Sequence, residues 1–153
     1  MGNYSRPVDE ILARLTYHTA DVSGRILRGL RFIPTPIVRV DGLDDFPALA
    51  LFIPKMRETY PTARAQGFMS WNFAVAVKRE DGCASELMQW VEKVLDALET
   101  KRDGSGLIDT NIGGTMKPFE ASIVNAFALD LSVCAELTLS IEPRPSTRGG
   151  RRT

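Results

Sequence analysis

A single histidine and two cysteines are present in this chain of 153 residues, too few for the four-ligand zinc sites that Cys and His usually build. Net charge is also missing. Nineteen Lys and Arg stand against nineteen Asp and Glu, and a pI near 6.6 argues against a dedicated nucleic-acid binder. No apolar run approaches the ~20 residues of a membrane-spanning helix. The opening MGNYSRPVDEILARL shows no apolar core ahead of a small-residue cleavage site, and Arg6 stands where a myristoylation signal needs Ser or Thr. Cys83 lies in a turn and Cys134 inside an apolar alternation; contexts so unlike read as free thiols of a reducing compartment, so synthesis and folding are expected inside the cell. No internal repeat is visible.

Catalytic signatures are absent as well. There is no G-x-S-x-G elbow and no phosphate-binding G-x-x-x-x-G-K-[ST] loop. Gly104-Ser105-Gly106 is too short for the first and reads as a helix stop and turn. Asp41, Asp44 and Asp45 lack EF-hand spacing and its distal Glu, so they read as a turn. His18, near the end of an amphipathic helix, reads as a surface or capping group. These residues lead us to expect no enzymatic activity, no metal and no cofactor.

What is present is the balance of a globular domain, with 44% hydrophobic and 25% charged residues. A chain of this length buries roughly 70% of the surface that its unfolded form exposes, enough for one core without staples. Residues 1–142 read as one α/β domain and 143–153 as an Arg-rich flexible tail. Ser5 and Pro7 start a helix, with Asp9 and Glu10 near its positive end and an apolar stripe of Val8, Ile11, Leu12 and Leu15. Arg25, Arg28 and Arg31 then recur every three residues, as a charged face or a basic stripe. Ile37 to Val40 reads as a short strand, Asp41-Gly42 as a turn, and Ala48 to Ile53 as a strand between two prolines. The polar segment from Lys55 to Gln66, with Arg57, Tyr60 and Arg64, has no apolar period and reads as a long exposed loop.

Period-two alternation of Met69, Trp71, Phe73, Val75 and Val77 marks the next strand. Ser85 is expected to cap a helix whose Leu87, Trp90, Val91, Val94, Leu95 and Leu98 keep helical spacing, with Lys101, Arg102 and Gly104 at its end. Trp71 and Trp90 are placed in the core. A loop rich in glycine runs from Asp103 to about Pro118. From Phe127 to Ile141 every odd position is apolar, including Leu137 and Leu139. As one strand this would run ~50 Å at ~3.3 Å per residue, so it must bend, carry a bulge near Cys134, or overhang its own domain and pair with a neighbour. Asp130, Glu136 and Glu142 fall on its even side, as a mostly polar row. The tail holds Arg144, Arg148, Arg151 and Arg152 and no acid. It leaves a body of fifteen bases against nineteen acids, and Arg148, Arg151 and Arg152 are candidates for phosphate-type contacts. The expected fold is α+β: a mainly antiparallel or mixed sheet with two amphipathic helices on one face.

A helix, short strands, a polar loop, the strand MSWNFAVAVKR, the helix SELMQWVEKVLDALE, a Gly-rich stretch and a terminal β region together resemble the tail terminator (tail completion) proteins of long-tailed bacteriophages. The resemblance covers most of Val8 to Ile141 and is carried best by Met69 to Glu99. It implies a subunit that joins copies of itself in a ring, expected to be hexameric, on the end of the tail tube. There it ends tube growth and presents the docking surface for the head connector. Implied partners are the chain itself, the tail tube protein and the head-tail connector, with non-specific genomic DNA in the lumen and no membrane. The implied location is the host cytoplasm during assembly and then the neck of the virion. Within that picture Lys55, Arg57, Tyr60, Arg64, Leu137 and Leu139 are interface candidates, and Asp130, Glu136 and Glu142 are candidates for lining the lumen. A head-tail connector or other minor tail protein, a small α/β enzyme, or an adaptor module using the cationic loop and Arg-rich tail are the alternatives.

Overall fold

The first helix, α1 (Ser5–His18), buries Ile11 and Leu15 completely, with Val8 and Leu12 packed beside them, so the stripe read from its spacing is the stripe that packs. Asp9 and Glu10 fall past the first turn, and Glu10 serves instead as the i,i+4 partner of Arg14 at 2.9 Å. The computed structural model describes residues 5–59, 66–99 and 120–141. After α1 the chain turns back on the helix through Leu27 N–H, which donates to the His18 carbonyl at 2.9 Å, and it buries Leu27 and Leu30. Gly24 and Gly29 supply the positive φ angles, 90° and 94°, that these turns require.

The sheet has six strands. β1 (Arg31–Ile33) lies parallel to β2 (Ala48–Leu51). A parallel pair needs a crossover, and residues 34–47 provide it. This corrects the strand expected at Ile37–Val40: Ile37 N–H makes one bond to the Leu51 carbonyl, and Val40–Gly42 is a turn of 3₁₀ helix. β3 (Lys55–Thr59) and β4 (Gln66–Lys78) form an antiparallel pair. Within the expected exposed loop at Lys55–Gln66, Lys55–Thr59 is therefore a strand and Gln66 opens the next one, while residues 60–65 lie outside the described residues. β2 and β3 follow one another along one side of β4, and β6 (Ser132–Ile141) takes the other side. β5 (Glu120–Ala128) closes the order as β1-β2-β4-β6-β5.

The helix α2 (Cys83–Glu99) begins two residues before the expected cap, where Glu86 N–H donates to the carbonyl of Gly82, itself at φ 82°. Ser85 thus lies inside the first turn and is not the cap. Leu87, Val91, Val94, Ala97 and Leu98 are buried against the bulky odd residues of β4, Met69 to Val77, and against Ala135, Leu137 and Leu139 of β6. Both helices cover this one face, so the architecture is α+β with a mixed sheet. The opposite face carries Ala48, Ala50, Ala74, Ala76 and Cys134, small enough for the crossover to approach. Val40, Leu43 and Phe46 pack there with Phe52, Phe127 and Leu129 in a second apolar cluster. That cluster corrects the expectation of a mostly polar second face, since only its far end is polar.

The long alternation is a hairpin. β5 and β6 are joined through Leu129–Ser132, with Leu129 N–H bonded to the Ser132 carbonyl at 2.8 Å. In this register odd residues of β5 near the turn oppose even residues of β6, Phe127 opposite Cys134. The unbroken odd apolar run therefore changes faces at the turn: Phe127 and Leu129 join the second cluster, while Ala135, Leu137 and Leu139 enter the main core. The bulge sits in β5, where Val124 is the extra residue between Ile123 and Asn125, and not near Cys134.

Candidate assembly interface

The cationic segment read as a loop is held by pairing. Lys55 lies opposite Ser70, Met56 opposite Met69 and Arg57 opposite Phe68. Lys55 and Met56 are exposed. Tyr60 and Arg64 lie outside the described residues. The pairing fixes which face each residue takes: Met69 belongs to the core under the helices, so Met56 shares the helix face, while Lys55 and Ser70 share the other.

Leu137 and Leu139, expected at an interface between subunits, are 2% and 1% exposed and pair with Phe73 and Trp71. Burial under the helices leaves them no surface for a neighbour, so their role is in packing. Asp130 is exposed in the β5–β6 turn, whereas Glu136 is half-buried between Ala74 and Asn125 on the face away from the helices. The two do not form one row. Around Glu136 the face becomes polar, with Asn72, Thr138 and Ser140, and Thr138 Oγ1 donates to Asn72 Oδ1 at 2.8 Å. Glu142 and the tail arginines Arg148, Arg151 and Arg152 are outside the described residues.

The three early arginines do not make a stripe. Arg25 places its guanidinium 3.6 Å from the centroid of the Tyr17 ring, Arg28 bonds Asp21 at 3.0 Å, and Arg31 bonds Asp45 at 2.7 Å. His18, expected at the surface, is 1% exposed, with Tyr17 edge-on at 5.0 Å. Cys134 and Cys83 are free thiols. Burial pushes the Cys134 thiol up, against a lowering hydrogen bond from Ser132 and with Glu136 adding to the rise, the opposite of what a nucleophile needs. Among the described residues no three His, Cys, Asp or Glu are placed to share a metal ion.

Sequence reasoning missed the β5 edge. β6 covers one side of β5, and among the described residues no strand pairs with its other side. Ser122 to Ala126 are all exposed, Ile123 and Val124 among them. Among the described residues β3 likewise pairs only with β4. The chain matches no protein-family model, and no curated protein matches its sequence.

Proposed function

We propose that the chain is a structural subunit that joins copies of itself in a ring, expected to be a hexamer, which caps the tail tube of a long-tailed bacteriophage and offers the head connector its docking surface. The observation carrying this reading is the open sheet: β5 is nine residues long and its sequence EASIVNAFA has neither Lys nor Pro, two of the devices by which monomeric proteins blunt an edge. The order helix, short strands, long strand, helix and terminal hairpin also supports this reading, although part of the polar loop expected before the long strand is itself the strand β3. With the helices outward, the polar strip of Asn72, Glu136 and Thr138 faces a lumen, where an acid limits sticking to DNA phosphates. Lys55, Arg57 and Arg64 are the contacts proposed for the adjoining tube or connector ring.

The test is genetic. Deleting the gene in the phage that carries it should give tails of uncontrolled length or heads and tails that fail to join, and Lys55, Arg57 and Arg64 changed together to Glu should fold yet fail to complement. Full-length normal tails from the deletion would remove the assignment, and normal virion yield from the charge-reversed variant would remove this segment from the interface.

A further inference from the structure

We infer that copies of this chain join head to tail, the edge of β5 that no described strand pairs adding in one copy as an antiparallel strand to the corresponding outer edge of β3 in the next. The inference deepens the ring reading but needs only self-assembly, not the phage assignment.

Strand direction carries the argument first. β3 and β6 both run antiparallel to β4, and β5 runs antiparallel to β6, so β5 and β3 point in opposite directions at opposite sides of one sheet. Placing β5 against the β3 of a neighbour in the same orientation therefore gives an antiparallel ladder and keeps all helices on one face. Such a contact uses two different surfaces, so it propagates around a ring and does not stop at a two-fold dimer.

Side chains agree with that join. Met56 is 56% exposed and Ile123 is 47% exposed. Met56 pairs with Met69 and Ile123 with Leu137, both core residues under the helices, so the two half-exposed apolar groups lie on the same face and cover each other when the edges meet. Charge agrees too. The β5 segment and the turn after it carry Glu120 and Asp130 and no Lys or Arg, whereas β3 carries Lys55 and Arg57 against Glu58. Two copies of the β5 edge facing each other would bring like charges together; β5 against β3 brings opposite ones together.

The test uses two singly blocked full-length chains, Met56→Lys and Ile123→Lys, each a charge on one exposed edge, with circular dichroism to establish folding. Wild type should sediment as a closed oligomer and each variant alone as a monomer. An equimolar mixture, titrated upward in concentration, should give a one-to-one heterodimer, because one intact β5 and one intact β3 remain between the two chains. A monomeric wild type, assembly by either variant alone, or a mixture that stays monomeric would overturn the inference. Met56→Asp and Val124→Lys replace either variant that fails to fold. Unperturbed rings from the blocked chains would sink this contact and leave the ring reading, whereas intact rings without any tail defect would sink the phage reading and leave this contact.

Discussion

Arg14→Met should be among the costlier single changes in the helical layer, although Arg14 is a charged residue on an amphipathic helix. Its side chain is 2% exposed; Nε donates to Glu10 at 2.9 Å and one terminal nitrogen donates to the Leu98 carbonyl at 2.6 Å. Leu98 belongs to the last turn of α2, where carbonyls lack intrahelical donors and the dipole is negative. Arg14 thus ties α1 to the C-terminal end of α2. Methionine fills similar space but leaves that buried carbonyl without this donor, a loss of about 1.5–3 kcal/mol for a bond to a charged group. The Glu10 carboxylate is 23% exposed and regains water, so its share is smaller. At ~2–4 °C per kcal/mol for a chain of this size, the unfolding midpoint should fall by roughly 3–12 °C. Glu10→Gln, which spares the carbonyl bond, should cost less, on the order of 1 kcal/mol. Thermal melts with matched urea titrations check both. A midpoint unmoved by Arg14→Met, or a larger loss from Glu10→Gln, would refute the assignment of the clamp.

The two tryptophans should behave differently. Trp71 is fully buried, packs at a tilt against Phe73 with ring centroids 4.9 Å apart and donates Nε1–H to the Phe52 carbonyl at 2.6 Å, so even Trp71→Phe should cost about 1–3 kcal/mol through the orphaned carbonyl. Trp90 is only partly buried, with Lys93 over its ring, so Trp90→Ala should cost less than the ~3–5 kcal/mol of a buried aromatic. For the thiols, Cys83 should react with a maleimide in the folded state and Cys134 only on unfolding, as mass spectrometry of timed samples would show. Because burial raises the Cys134 thiol, its contribution to stability is present below the ordinary thiol range, about 8.5, and is lost as pH rises beyond it; Cys134→Ala should flatten that alkaline decline.

Much of the fold was legible because period and burial coincide. The β4 alternation and the α1 and α2 stripes each put one apolar face under one covering layer, and the residues named from spacing are largely those that pack. Trp90 departs because it lies at the flank of its helix. The β5–β6 hairpin was hidden for a specific reason. Its turn is Asp130-Leu131, without glycine, proline or asparagine to mark it, and both faces of the sheet near the turn are apolar, so an odd-numbered run crosses from one core to the other unbroken. β5 itself was hidden by its bulge. Ala121 and Ile123 share a face with Ala126 and Ala128, so the period shifts phase at Val124 and no single alternation spans the strand. β3 was hidden because an edge strand with charged residues has no apolar period to show. Arg14 as a link between helices depends on the carbonyl of a residue 84 positions away, and local sequence patterns hold no such information.

The measurement that bears most directly on the account is the native mass of the purified full-length chain in solution. A closed ring predicts one dominant species, at six times the 16.9 kDa of the chain for the expected hexamer, unchanged on moderate dilution. A monomer of 16.9 kDa persisting at high concentration, or an assembly that stops at two copies, would contradict it.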